Sequence, residues 1–561
     1  MASDHVIETE VLVIGGAIAG GIAAIKAREQ GCDVLVVDKA YSGKSGASIS
    51  PPAGMGCWNP EWGVPFETIM EALNRDGEYI NNQEWCEIIT KESWGIHQDL
   101  AAWGVPFDPY TPEMAKMICP PYTNVPIPFR GITPPIRKQA ARVGVKCMDR
   151  IMVTDLLMHD NQVAGAAGFS IDSGDFYVFK AKATVLTAGG NSFKPAGFPI
   201  HMLTGDAEAM AYRAGAGIAS KEFCCTTHPT RLATPAALFA MKHVGPVPFM
   251  NIFTASGESA NWSGNASSTT EPDLALEFLA HAGKTPIYCD LDGIPEMFKE
   301  LMKHKFPIAD IWGKADLAGG ACTGYANVGT GGIWVTDTHC STSLPGLYTA
   351  GDCAGTRHNG ALIVNVGGGT VGVAVTGKQA GLAAAKYAST EKRCEPSEEA
   401  VMNIKSKLYA SLERKEGYKP RWVTQLLQNA MTPYFVSYIK HEARLKAALT
   451  TIEFLRDHLV PRMYANDLHE MKLVRETANM VLTAEMILRA SLFRTESRGC
   501  HFREDYPRRN DKDWLAWTQL KEEKGEMKVV KVPLPKEWWP DLSKPYGERY
   551  PKRFPGESVE G

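Results

Sequence analysis

The chain has 561 residues, 22% of them charged and 44% hydrophobic, with a formal net charge of −4. That length exceeds one hydrophobic core and predicts two or three domains, while the charge balance excludes a nucleic-acid binder held by a basic field. No apolar run approaches the roughly 18 residues that a membrane span requires, and no secretory leader precedes the first apolar strand, so a cytoplasmic protein with no span of its own is expected. Thirteen cysteines are scattered without a Cys-x-x-Cys pair. This argues against an internal iron–sulfur cluster or structural zinc, so no metal site is expected, and it points to reduced thiols. Adjacent Cys224 and Cys225 read as small residues beside a strand.

Residues 9 to 40, TEVLVIGGAIAGGIAAIKAREQGCDVLVVDKA, carry the first functional signal. Val11 to Ile14 read as a buried parallel strand, Gly15-Gly16-Ala17-Ile18-Ala19-Gly20 as a tight turn into a helix, and Val34 to Val37 as a second strand ending at Asp38. Gly15 allows the turn, Gly20 allows the helix to pack closely, and the unpaired N–H groups of the helix N-terminus face a pyrophosphate. Ala17 replaces the middle glycine of this fingerprint, and its methyl is read as tolerated. Asp38, about 20 residues after the turn, is placed to accept hydrogen bonds from a ribose.

Farther along the chain, Ala183 to Thr187 read as a strand leading into Ala188-Gly189-Gly190. Gly346-Leu347-Tyr348-Thr349-Ala350-Gly351-Asp352 reads as another strand, ending in Gly-Asp. Ligands of doubly wound sheets lie outside the carboxyl ends of the strands, so these three ends are expected to line one long cofactor. Asp352 suits a ribityl hydroxyl, and Gly189 and Gly190 leave room for a close backbone approach. FAD fits this arrangement better than NAD. Between these blocks, Pro120 to Pro135, with Arg130, reads as an ordered loop. Later, Leu445, Ala448, Leu449 and Ile452 keep helical core spacing, and Asn466 is expected to cap the next long helix. The tail after Asp511 carries Trp514, Trp517, Trp538 and Trp539 among prolines and charges. It reads as an extended arm docking on its own chain or on a partner.

With these motifs the chain resembles the succinate dehydrogenase/fumarate reductase flavoprotein family, which includes aspartate oxidase and the adenylylsulfate reductase alpha subunit. The likeness rests on the fingerprint, SGKSGAS at 42–48, TAGG at 187–190, TGDAEAMAYRAGA at 204–216, HPT at 228–230, GLYTAGDCAG at 346–355 and TESRGCHFREDYP at 495–507. The resemblance implies an α/β fold with a Rossmann-like FAD-binding domain split over 1–234 and 325–390. An α+β capping domain at 235–324 would be inserted in it, followed by a helical domain at 395–510 and the tail at 511–561. It adds Lys39, Ser45, Gly46, Ala47, Ala188 and Asp206 to Gly15, Gly16, Ala17, Gly20, Asp38, Gly189, Gly190, Gly351 and Asp352 as expected cofactor-binding residues. Arg498 and His501 would fix the helical domain against the flavin domain.

The departures from the family are as informative as the matches. Members with covalent FAD carry a histidine where this chain has Gly46, so the resemblance implies noncovalent FAD with a lower potential. Family histidine and arginine positions that bind dicarboxylates fall near Asn327 and Asn365, and no arginine occurs from Leu232 to Gly355. Each carboxylate entering a closed site needs a charged fork, and a broken pair costs on the order of 2 to 5 kcal/mol. Succinate and fumarate are therefore disfavoured. Glu222, Thr227, His228, Arg231, Asn327, His358 and Asn359 remain near the flavin by motif position, with Arg357 beside them. Of these, His228, His358 and Arg231 are the expected catalytic residues, histidine being the natural proton partner near neutral pH.

The expected function is two-electron flavin chemistry on a small, non-dicarboxylate molecule, by hydride exchange with a carbon or bonding to a sulfur. Electrons would be exchanged with a separate iron–sulfur protein, in a homo- or hetero-oligomer. Two alternatives stand beside it: a sulfur-metabolism enzyme like adenylylsulfate reductase alpha, and an electron-transfer flavoprotein without substrate chemistry.

Overall fold

The computed structural model describes residues 4–49, 54–107, 121, 123–126, 131–194, 201–226, 251–258, 278–279, 281–284, 286–290, 314–317, 325–326, 330–362, 368–551 and 553–557. Strand β1 (Asp4–Ile14) leads into α1 (Ile18–Glu29) and β2 (Val34–Val37), followed by β3 (Gly54–Cys57), α2 (Phe66–Asp76), α3 (Gln83–Ala102) and β4 (Thr123–Pro126). Next come α4 (Thr133–Arg142), β5 (Lys146–Met148), β6 (Ile151–His159), β7 (Gln162–Ser170), β8 (Phe176–Leu186) and α5 (Asp206–Arg213). The short strands are β9 (Ile218–Ala219), β10 (Cys225–Thr226), β11 (Asn251–Thr254), β12 (Ile287–Asp290), β13 (Lys314–Leu317), β14 (Tyr325–Ala326), β15 (Gly332–Trp334), β16 (Leu347–Thr349) and β17 (Ala354–Gly355).

Among the described residues the main sheet has seven strands, in the order β5-β2-β1-β8-β7-β6 with β16 also on β8. Strand β8 changes neighbours along its length. Its first half pairs antiparallel with β7, and its last residues pair parallel with β16, where Thr184 faces Leu347 and Leu186 faces Thr349. On the other side Leu186 faces Ile14 of β1, and Ile14 faces Val37 of β2. The carboxyl ends of β1, β2, β8 and β16 thus share one edge, as the sequence predicts. Strand β1 is longer than predicted, because its first half alternates exposed and half-buried residues and still pairs with β8.

Both faces of the parallel strands are apolar, which is why these strands read as continuous hydrophobic runs. Val11, Val13, Val34, Val36, Ala183 and Val185 form one face with α1, and Leu12, Ile14, Leu35, Val37 and Leu186 form the other with Ala207 and Met210 of α5. Helix α6 (Gly368–Thr390) lies directly on α1. The crossing is close because a Cβ at Gly381 would stand 2.3 Å from the Ala23 carbonyl oxygen.

The stretch with prolines around Pro120 to Pro135 is not a loop throughout. Thr123–Pro126 pair with β3, and Pro134 and Pro135 sit in the first turn of α4, where a missing N–H costs nothing. Arg130 lies outside the described residues. Strands β11, β12 and β13 pair antiparallel in the segment expected to cap the site.

The helices that follow are α7 (Glu398–Glu413), α8 (Pro420–Met431), α9 (Glu442–Phe454) and α10 (Leu468–Phe493). Leu445, Ala448 and Ile452 are buried between them, as their spacing predicts. The cap of α10 is Asp467, not Asn466. Asp467 Oδ1 accepts from the Glu470 N–H at 2.8 Å, and Glu470 reaches back to the Asn466 N–H, a reciprocal box one residue later than expected. No helix among the described residues is long and apolar enough to cross a membrane.

The tail is folded rather than extended. Strands β18 (Ala516–Glu523) and β19 (Glu526–Pro533) form a hairpin, and the first of them pairs with β9, extending the sheet that holds β15 and β17. Its two-residue turn, Lys524-Gly525, has φ of +54° and +82°, the mirror-image geometry that suits hairpin twist. Trp514 and Trp517 are buried, so the tail docks on its own chain.

A buried ion network secures that docking. Arg494 is fully buried and donates to Glu222 Oε1 (2.8 Å), Glu496 Oε1 (2.7 Å) and the Ala516 carbonyl (2.7 Å). Arg498 donates to Glu496 and Asp511, and also to the Glu78 carbonyl in the first half of the chain. Removing one member of such a network strands the others without solvent. Arg494→Leu is expected to lower the unfolding free energy by about 3–5 kcal/mol, read from urea unfolding curves.

Candidate functional site

A cleft of about 860 Å³ opens at the shared edge of the parallel strands. Gly15, Gly16, Ala17, Asp38, Lys39, Ser45, Gly46, Ala47, Ala188, Gly189, Asp206, Gly351 and Asp352 all line it, so motifs far apart in the chain meet on one surface. Two of the expected residues stand behind the wall. A Cβ on Gly20 would lie 1.8 Å from the Gly15 carbonyl oxygen, so glycine there brings α1 against the turn. Gly190 packs beside Asp352, whose carbonyl oxygen would be 3.5 Å from an added Cβ. The sequence reading missed Ile151, Val153, Met202, Leu203, Met210 and Val373 in the wall. These are ordinary apolar side chains, and nothing local distinguishes them from core.

The polar groups of the cleft suit a dinucleotide carrying phosphates and hydroxyls. Helix α1 begins at Ala17 with no side-chain cap and no acidic residue in its first turn, although Ile18, Ala19 and Gly20 are buried. Its free N–H groups and dipole face the cleft and require an anionic acceptor. Asp38 Oδ2 accepts from the Gly16 N–H at 2.8 Å, and Oδ1 accepts from the Ala40 N–H at 2.7 Å and from Ser45 Oγ at 3.3 Å. That fixes the carboxylate at the turn and leaves lone-pair capacity on Oδ2 for a ribose hydroxyl. Burial alone raises the Asp352 carboxyl to about 6, a group that a hydroxyl-bearing ligand would satisfy. Residues and cofactor therefore fit.

Lys39 and Asp206 meet the cleft as a pair. Lys39 Nζ donates to Asp206 Oδ2 (2.7 Å) and to Thr204 Oγ1 (2.8 Å), and it also pairs with Glu476 Oε1 (2.8 Å). The two carboxylates hold the ammonium pKa above its usual value.

The expected catalytic residues are less well gathered. His358 lines a second hollow, of about 480 Å³, with Cys57, Trp58, Cys86, Ile89 and Val371 among its walls. Its Nδ1 shares a hydrogen bond with Thr356 Oγ1 at 2.8 Å, while Nε2 is buried without a partner. Burial pushes the imidazole down to about 4, so it is neutral at pH 7. Arg357 is clamped between the rings of Trp334 and Trp517, at 4.1 and 4.4 Å, and burial lowers its guanidinium to about 9. Both oxygens of Glu222 are taken, by Arg494 and by Thr518 Oγ1 at 2.6 Å, so it belongs to the buried network. Asn359 is buried beside His358 in the hollow wall. His228, Arg231, Thr227, Asn327 and Asn365 lie outside the described residues.

Residues 10–245 match the family described as FAD binding domain, and residues 424–545 match the one described as fumarate reductase flavoprotein C-term. The chain belongs to the succinate dehydrogenase/fumarate reductase flavoprotein family. It is an FAD-dependent oxidoreductase. One subunit of the CoM/CoB fumarate reductase of Methanothermobacter marburgensis is 27% identical, over 89% of this chain and 95% of that one. Adenylylsulfate reductase of Archaeoglobus fulgidus has the same fold, with a TM-score of 0.77 at 22% identity over 95% of this chain and 97% of that chain. The FrdA chain of E. coli quinol fumarate reductase superposes with a TM-score of 0.80 at 18% identity, over 94% and 97% of the two chains.

The buried neutral His358 imposes a pH dependence on this flavoprotein. In the unfolded chain the imidazole takes up its proton near 6.5, whereas in the fold it does so only near 4. Between these values the unfolded state binds more protons, so stability falls as pH drops from 6.5 towards 4, by up to about 3 kcal/mol from this residue. Melting temperatures measured from pH 7 to 4.5 should show that decline, and His358→Gln should flatten it.

Proposed function

We propose that this flavoprotein holds FAD noncovalently and carries out two-electron chemistry on a substrate that is not a dicarboxylate, exchanging electrons with an iron–sulfur partner. The observation that carries the substrate half is the supply of arginines. Arg357 is the one arginine between Leu232 and Lys392 in the sequence, and its guanidinium is committed to two tryptophan rings. Arg231 alone remains at a motif position to meet a carboxylate, whereas a C4 diacid needs a fork at each end. This reading departs from the printed name of the methanogen relative, a fumarate reductase.

In the proposed site the N-terminus of α1 binds the pyrophosphate, Asp38 the adenosine ribose and Asp352 the ribityl chain. Ser45, Gly46, Ala47, Ala188 and Gly189 border the cofactor, and Gly15, Gly16 and Gly351 shape the turns around it. Bound FAD supplies the two-electron exchange. The chain contributes the rest: His228 and Arg231 would meet the substrate, and His358, uncharged at neutral pH, would act as proton acceptor or donor through Nε2. Closure of the segment around β11–β13 would exclude water.

Noncovalent attachment is supported by the wall itself. No histidine, cysteine or tyrosine lines the described cleft, and Gly46, at the family's attachment position, has φ of +80°, which a histidine would adopt only with strain. The iron–sulfur partner is supported by the name of the methanogen relative, which marks it as one part of a larger complex.

Acid precipitation of the purified protein should leave all yellow colour in the supernatant; flavin remaining on the polypeptide would refute noncovalent binding. Succinate and fumarate should leave the flavin spectrum unchanged and turn over at least a hundredfold more slowly than in dicarboxylate enzymes. Rapid turnover of either would overturn the substrate reading, and rapid reduction by NADH of the isolated chain would overturn the partner reading.

A further inference from the structure

Helix α10 begins at Leu468, far along the chain from the nucleotide half, yet one of its faces is applied to the wall of the dinucleotide cleft. Glu476, Asn479 and Thr483 lie on that face, at i, i+3 and i+7. Glu476 is 2% exposed; its Oε1 pairs with Lys39 and its Oε2 with Lys194, each at 2.8 Å. Asn479 Nδ2 donates to Asp206 Oδ1 at 2.8 Å, and its Oδ1 accepts from Arg213 Nη1 at 2.9 Å. Thr483 packs on Gly205, the residue that starts α5, so closely that an added Cβ there would be 2.6 Å from its methyl. Lys39 and Asp206, the two groups so held, both line the cleft.

We propose that Glu476 and Asn479 are positioning residues of the FAD site, through which the C-terminal helix sets the affinity for the dinucleotide. Asp206 is an anion on a wall that must face an anionic ligand. It is tolerable there because Lys39, Thr204 and Asn479 occupy its oxygens, and Lys39 stays over it because Glu476 holds the ammonium from the other side. Release either helix residue and the carboxylate is left partly uncompensated beside the phosphates. The carboxyl of Glu476 lies far below its usual range, at about 2, so the pair is ionised wherever the protein functions.

The inference rests on the cleft assignment proposed above. Failure of that assignment would appear as wild-type apoprotein that does not take up FAD; failure of this inference would appear as variants that take it up normally. The apoprotein of each variant is titrated with FAD by fluorescence quenching, and its melting temperature is measured with and without FAD. Asn479→Ala, which removes no charge, should raise the Kd for FAD at least fivefold, and Glu476→Gln should raise it at least tenfold, each with a smaller FAD-induced rise in Tm. Lys194→Met, which touches Glu476 but does not line the cleft, should stay within twofold of wild type. A Kd within twofold of wild type for Asn479→Ala or Glu476→Gln, with Tm lowered equally in apo and holo forms, would overturn the proposal. Should Glu476→Gln not fold, Asn479→Ala decides alone.

Discussion

The structure depends on one buried, uncapped helix N-terminus. Helix α1 enters directly from β1 through a glycine turn, its first residues are enclosed, and no side chain accepts its leading N–H groups. In an apolar interior such a terminus is costly unless an anion meets it. The sheet is arranged so that this happens, since β1, β2, β8 and β16 all release their chains at the same edge. The cofactor is thereby an organising element of the fold as well as its reagent.

Around that edge the chain uses charge inside the protein in two ways. Near the cleft, Lys39, Asp206, Glu476 and Lys194 form a balanced cluster that connects wall to helix. Farther away, Arg494 and Arg498 with Glu222, Glu496 and Asp511 tie the end of α10 to the tail and to the turn at Glu78. Buried pairs of this kind add little net stability compared with apolar packing, but they tolerate few alternative arrangements. They therefore specify how the C-terminal third seats on the nucleotide domain, and Arg357 between Trp334 and Trp517 serves the same end with aromatic faces.

Much of this was legible in the chain because it depends on local backbone constraints. A strand, a glycine turn, a helix and an acid in fixed order dictate a phosphate-binding edge wherever they occur, so Gly15, Gly16, Asp38, Gly189 and Asp352 could be placed in one cleft. The errors were also local in kind. Lys524-Gly525 between alternating strands is a hairpin signal that the tryptophans and prolines of the tail obscured, and the helix cap fell on Asp467 because its partner Glu470 completes the box. Glu222 read as a site residue by motif position, yet its carboxylate is spent on Arg494 and Thr518, which are distant in sequence.

By itself the sequence determined the nucleotide fold, the FAD class and the family, since each rests on residue types within short windows whose backbone geometry leaves few options. Only the tertiary structure decided which side chains share a wall. His358 went to a hollow of its own, Arg357 to a tryptophan clamp, and Glu476 and Asn479 to the cleft from the far end of the chain. Such assignments depend on packing between segments hundreds of residues apart, where burial and partner availability, not spacing along the chain, set the role of each charge.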